Sequence, residues 1–200
     1  MRTIEFPHIL AVVYVIFFIL LGIEPVSRDV WVAEVIPVVI VFALLVATYP
    51  HFRFTSLAYG LMAFWIFWHT IGGHYTFANV PFGFVTDFFG FERNHFDRIG
   101  HLSVGFYAYP LMEWVTRKRW CGPVLASFLG IFFIMSIAAG YEIVEWWFAV
   151  VVGGGAGIEF LGSQGDIWDA QKDMLADTLG ALATMSLFWL VRPDRRDLDQ

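Results

Sequence analysis

The sequence predicts an all-α integral membrane fold: one polytopic domain, residues 1–200, built as a bundle of about six transmembrane helices with both termini cytoplasmic and a polar cluster near the outer face. Three observations predict it. Of the 200 residues, 58% are hydrophobic and only 15% are charged, at a mean hydropathy of +0.67, which is not the balance of a soluble domain. Aromatic residues reach 19%, with 22 Phe and 9 Trp, more apolar surface than a water-soluble core of this size hides. The apolar residues also fall in stretches close to the roughly 20 residues that a helix needs to cross a hydrocarbon core of about 30 Å.

The first span, residues 7–23, follows Arg2, but no A-x-A cleavage pattern comes after it, so it reads as an uncleaved anchor and not as a signal peptide. Residues 30–49 and 54–71 are the second and third. Gly72 and Gly73 are expected to end the third, which would let His74 swing back toward the bundle. Residues 81–91, with Phe82, Phe84, Phe88, Phe89 and Phe91, are too short to span and are expected in the outer interface. The fourth span, residues 99–114, leads into Arg117, Lys118 and Arg119, a topology determinant. The fifth, residues 123–152, runs into residues 153–157, where four glycines predict a flexible outer turn. Residues 174–191 form the sixth.

Basic residues mark the cytoplasmic side of such a bundle. Eight of the twelve, Arg2, Arg53, Arg117, Lys118, Arg119, Arg192, Arg195 and Arg196, fall on one side; Arg28, Arg93, Arg98 and Lys172 fall on the other. Thirteen of the eighteen acidic residues lie on or toward that second, outer side. A net charge of −6 lacks the concentrated basic surface that nucleic-acid binding requires. The single cysteine, Cys121, leaves no disulfide framework and no thiolate cage for zinc, and its place beside the basic loop argues against covalent thiol chemistry.

A charge inside a span costs about 2.5–3.5 kcal/mol, so ionisable groups there need a reason. Counting along each helix at about 1.5 Å per residue puts His69 and Glu142 near the outer face. Asp97 and His101 begin the fourth span, Asp173 and Asp177 the sixth, and Glu24 and Glu34 lie near the outer ends of the first two. These groups share one depth. Asp97 and His101 are four apart and Glu142 and Glu145 three apart, so each pair shares a helix face, and Asp166, Asp169, Asp173 and Asp177 would form one stripe if a single helix carried them all. Each feature also has a plain structural reading. Asp166 and Asp169 resemble a helix cap and acidic first turn, Glu142 and Glu145 precede the interfacial anchors Trp146 and Trp147, and the histidines can bond carbonyls within the bundle.

Residues 69–76 (HTIGGHYT), 79–82 (NVPF), 93–101 (RNHFDRIGH), 141–147 (YEIVEWW) and 161–174 (LGSQGDIWDAQKDM) resemble the YjdF-like family of bacterial inner-membrane proteins, a domain of unknown function. The resemblance covers most of the chain. It implies a multi-pass helical protein of the inner membrane and no particular reaction.

Imidazole and carboxylate without thiolate suit Zn²⁺, Mn²⁺ or non-haem iron, and a cation would relieve the repulsion among clustered carboxylates. The pattern lacks H-E-x-x-H, and Glu142 with Glu145 gives E-x-x-E in place of the E-x-x-H of di-iron bundles. The residues therefore point to a divalent metal held by His69, His74, Asp97, His101 and Asp173, with Glu142, Glu145 and Asp177 catalytic and Gln164, Asp166, Asp169 and Gln171 as an outer rim. The first function expected is a metal-dependent hydrolase or transferase acting on a lipid or lipid-linked head group among the membrane lipids. A divalent-cation or proton transporter and a non-catalytic scaffold are the alternatives.

Overall fold

The computed structural model describes residues 5–198, apart from the side chains of 156, 158, 159 and 196–198. Arg2 and Asp199 of the charge distribution thus lie outside the described residues, as do the side chains of Arg196 and Asp197. The described residues form nine α-helices and short 3-10 turns, with no strand among them.

Helix α1, Phe6–Leu21, starts with Pro7 in its first turn, where a missing amide costs nothing. Helix α2, Arg28–Thr48, is capped by Ser27, whose side chain accepts from the Val30 amide, and α3, Ser56–Tyr75, is capped in the same way by Thr55. Gly72 and Gly73 do not end α3, contrary to expectation. They serve close packing: a Cβ on Gly73 would stand 3.0 Å from Cβ of Glu34, and one on Gly72 would strike the Phe77 ring at 2.3 Å. The helix stops at Thr76, which takes a left-handed conformation (φ 61°) and accepts a hydrogen bond from Asn79.

The aromatic stretch holds a seven-residue helix of about two turns, α4, Gly83–Phe89, with Phe84, Phe88, Phe89 and Phe91 exposed. The expected continuous span at 99–114 is broken into α5, Phe96–Val104, a 3-10 turn at Gly105–Tyr107, and α6, Ala108–Arg117. Pro110 removes one ladder donor at the start of α6, and Gly105 is drawn against another helix, where its carbonyl accepts from the Thr184 hydroxyl at 3.1 Å. Helix α7, Pro123–Val152, is the longest. The glycine stretch that was expected to be a flexible turn instead forms α8, Gly154–Leu161, after a sharp reversal at Gly153 and Gly154, both at positive φ. Helix α9, Asp169–Val191, completes the set.

Among the described residues, three helical stretches are long and apolar enough to cross a membrane: Arg28–Thr48, Pro123–Val152 and Asp169–Arg195, with Phe6–Leu21 apolar but shorter. Helix α9 packs on α5, α6 and α7, while α3 packs on α1, α2 and α5, so that α5 joins two helical layers. One core contains Tyr109, Met112, Ile134 and Phe188, and a second contains Tyr14, Val38, Trp65 and Ile66. Exposed apolar residues cover α1, α2 and α7, the surface of a chain whose solvent is lipid. At one end of the bundle, buried Glu113 accepts from the Thr55 amide and hydroxyl, both at 2.8 Å, and from Arg117 at 2.7 Å. At the other end lies a much larger group of ionisable side chains.

Candidate functional site

Helices α5 and α9 supply the centre of that group because they cross at two glycines. A Cβ on Gly180 would lie 1.9 Å from the Leu102 carbonyl oxygen, and one on Gly105 would lie 2.3 Å from that of Asp177, so only hydrogen atoms let these backbones meet. The crossing presses the face of α5 that carries Asp97 and His101 against the face of α9 that carries Asp169, Asp173 and Asp177. The spacing of four residues in each helix is what aligns the two faces.

His101 sits at the middle. Its Nδ1 lies 3.2 Å from Oδ2 of Asp177, which fixes Nδ1 as the protonated nitrogen when the ring is neutral. Nε2 then points between Asp97 Oδ1 and Asp173 Oδ1, each 3.6 Å away. Ligand atoms of Asp97, His101 and Asp173 all lie within 4.8 Å of one another, and all three residues are buried. Ligands bound about 2.1 Å from one cation stand some 3–4 Å apart, so this triad fits a divalent metal with little movement. It also leaves open positions.

The balance of charge points the same way. Arg93 and Arg98 each place a guanidinium nitrogen 2.5 Å from Asp169 Oδ1, and both lie 3.6 Å from Asp166. Arg98 also pairs with Asp173. Asp166 takes a 2.6 Å hydrogen bond from Lys172, which holds its carboxyl below the usual carboxylate range. These cations saturate the layer nearest the end of the bundle. Beneath it, Asp97, Asp177, Glu142 and Glu145 share chiefly His101, while Oδ1 of Asp177 and Oε1 of Glu142 are buried without a hydrogen-bond partner. Carboxylates so placed repel one another unless a proton or a metal cation intervenes.

A second polar group faces the first. Nε2 of His69 lies 3.0 Å from both the carbonyl oxygen and Oε2 of Glu34, and the Tyr141 hydroxyl donates to Glu34 Oε2 at 3.0 Å. Between the two groups opens a cavity of about 530 Å³, within the usual size of a ligand site. Glu34, His69, Asp97, His101, Tyr141, Glu145 and Asp177 line its polar end, and apolar side chains, chiefly of α2, α3, α6 and α7, line the remainder.

The structure thus brings together His101, Asp97, Asp173, Asp177, Glu142 and Glu145, and sets His69 across the cavity from them, bound to Glu34 rather than to the triad. His74 is elsewhere: its Nδ1 lies 2.7 Å from the Leu21 carbonyl and its ring stands edge-on to Trp31 and Tyr75. It ties α3 to the α1–α2 connection because the helix continues past the glycines instead of bending inward. Asp166 precedes α9 and is not part of its stripe. Gln164 clamps the preceding loop to the start of α5 through two 2.9 Å bonds with the backbone of Asn94, and Gln171 is exposed on α9. Glu34, Tyr141 and the two arginines belong to the site as well. The depth of Glu34 was readable from the sequence, whereas its pairing with residues 35 and 107 positions away was not. Cys121 is half-buried in the α6–α7 connection.

A family model described as "Predicted membrane protein (DUF2238)" matches residues 6–194. The chain is 40% identical over 182 residues to "Inner membrane protein YjdF" of Escherichia coli (strain K12), covering 88% of this chain and 85% of that protein. No solved structure matches.

Proposed function

The chain belongs to the DUF2238 family of predicted membrane proteins, and from that premise we propose that it is a metal-dependent hydrolase or transferase of the inner membrane, acting on a lipid or lipid-linked head group at the outer leaflet. One observation carries this reading: a single cavity of about 530 Å³ joins an acid and imidazole end to a long hydrocarbon-lined trunk. A head group bearing phosphate or hydroxyl oxygens fits the first, and a lipid chain the second.

In this reading Asp97, His101 and Asp173 hold a zinc, manganese or iron ion, which when bound supplies a Lewis acid and an acidified water. Asp177 orients the His101 ring through its contact with Nδ1. Glu145, which lines the cavity, exchanges protons with the reacting group, and Glu142 behind it carries the spare charge. Glu34, His69 and Tyr141 form the opposite wall and position the head group. Incubating the purified protein with bilayer lipids and each metal, and following lipid products by mass spectrometry, tests the reaction. Head-group release or exchange that disappears in Glu145→Gln supports it; absent chemistry together with metal flux into proteoliposomes favours a transporter.

The topology belongs to the same proposal. Helices α1, α2, α3, α5 with α6, α7 and α9 make six crossings, with both termini in the cytoplasm and the cavity's polar end toward the periplasm. The grouping of basic residues supports it: Arg53 falls in the α2–α3 connection, Arg117 ends α6, and Lys118 and Arg119 follow it in the α6–α7 connection. In a Cys121→Ser background, Asp87→Cys is expected to react with an impermeant maleimide in spheroplasts, and Arg119→Cys only after permeabilisation. The reverse pattern would invert the assignment.

A further inference from the structure

We propose that the trunk of the cavity is a binding site for one hydrocarbon chain of a membrane lipid, which enters sideways through the gap between α2 and α7 and brings its head group to the polar end. This deepens the function proposed above and rests on it for the identity of the head-group site alone.

The trunk runs along Ile40 and Leu44 of α2, Phe133 and Ile137 of α7, and Leu111 and Trp114 of α6. Its back is closed by the buried residues Met62, Trp65 and Ile134. Its front is open, since Ile40, Leu44, Phe133 and Ile137 are each about half exposed. Helix α2 packs on α3 and α8, and α7 on α6, α8 and α9; the hydrogen bond from Tyr141 to Glu34 ties the two sides of the gap at its polar end.

Length fixes the occupant. From Glu34 to Leu44, and from Glu145 to Phe133, the trunk extends roughly 15–18 Å at about 1.5 Å per residue. That equals the depth of one leaflet, half of a hydrocarbon core of about 30 Å. A lipid chain whose head group rests beside Glu34 and Glu145 therefore reaches the end of the trunk. Access from the water side is covered. Phe160, Leu161 and Gly162 at the end of α8 form part of the cavity wall, and the Asn94–Gln164 clamp and the Arg93 and Arg98 ion pairs lie above. The side opening faces lipid, and burying a chain there replaces exposed hydrocarbon with packed contacts.

The test uses the full protein in vesicles of phosphatidylethanolamine and phosphatidylglycerol, with a trace of phosphatidylglycerol carrying a photoreactive diazirine at one of two depths on one chain. A diazirine at the chain terminus is expected to label Leu111, Trp114, Leu44 and Phe133, and one close to the carbonyl to label residues near Glu34 and Glu145. Both should exceed the labelling of Ile9, Val12 and Ile16, which are exposed on α1. Ile137→Trp, which fills the trunk, is expected to reduce this labelling about tenfold by steric exclusion while leaving metal content unchanged. Labelling in proportion to exposure, with no dependence on diazirine depth, would overturn the inference even if metal is bound. Depth-ordered labelling of a protein that binds no metal would uphold the chain site and reject the metal enzyme instead.

Discussion

Gly180→Ala is expected to part α5 from α9 and to lower stability by about 2–3 kcal/mol, the upper part of the range for overpacking a tight contact. The added methyl would meet the Leu102 carbonyl oxygen at 1.9 Å and the Gly105 Cα at 3.1 Å. Both are backbone atoms and cannot rotate away. Gly105→Ala should behave alike, because its Cβ would meet the Asp177 carbonyl oxygen and the Ala181 amide nitrogen at 2.3 and 2.4 Å. Gly140→Ala, with nothing within 4 Å, is the control and should be neutral. Melting in detergent reads the effect: for a chain of this size the glycine variants at the crossing should lose roughly 5–10 °C. Any metal affinity should fall with them, since the same crossing aligns His101 with Asp173 and Asp177.

The second large effect concerns the triad itself. Asp173→Asn and His101→Ala each remove one of three ligands, and each is expected to reduce bound metal from about one per chain to a trace. Asp177→Asn keeps the ligands and disturbs only the ring they rely on, so affinity should fall about 10–100-fold instead. Titrating each variant, stripped of metal, with zinc in the presence of a competing chelator separates the two outcomes. Equal affinities for Asp177→Asn and the parent chain would remove Asp177 as the orienting group. A graded order places His101 and Asp173 on the metal and Asp177 behind the histidine, rather than among the catalytic carboxylates.

Much of this arrangement was legible in the sequence, for a local reason. Asp97 with His101, and Asp169 with Asp173 and Asp177, repeat at four residues, and that period alone puts each set on one helix face. Their shared depth followed from residue count, because a membrane-sized helix makes position along the chain a measure of height. What the sequence did not reveal depends on contacts between distant segments. Gly72 and Gly73 looked like a stop signal and proved to be places where Glu34 and Phe77 approach α3 closely, which is also why His74 never reaches the cluster. The fourth span breaks at Gly105 because α9 holds that carbonyl through Thr184, and no periodicity within residues 99–114 records it. The glycine-rich residues after α7 form a helix, α8, that packs on α7 and α2, an outcome that intrinsic propensity alone opposes. Asp169 is the acidic residue of the first turn of α9, but Asp166 does not cap the helix, whose N-cap is Trp168 with no side-chain cap bond; both carboxylates instead gather Arg93 and Arg98 over the site.

The claim on which the rest depends is that the buried carboxylates around His101 are balanced by one divalent cation. Elemental analysis of the protein purified in detergent without added metal or chelator tests it directly. The expected result is close to one zinc, manganese or iron per chain, lost together with thermal stability on chelation and restored when metal is returned. A metal-free protein that remains folded, monodisperse and indifferent to added cations would contradict it, and would leave these residues as a proton-neutralised staple between α5 and α9.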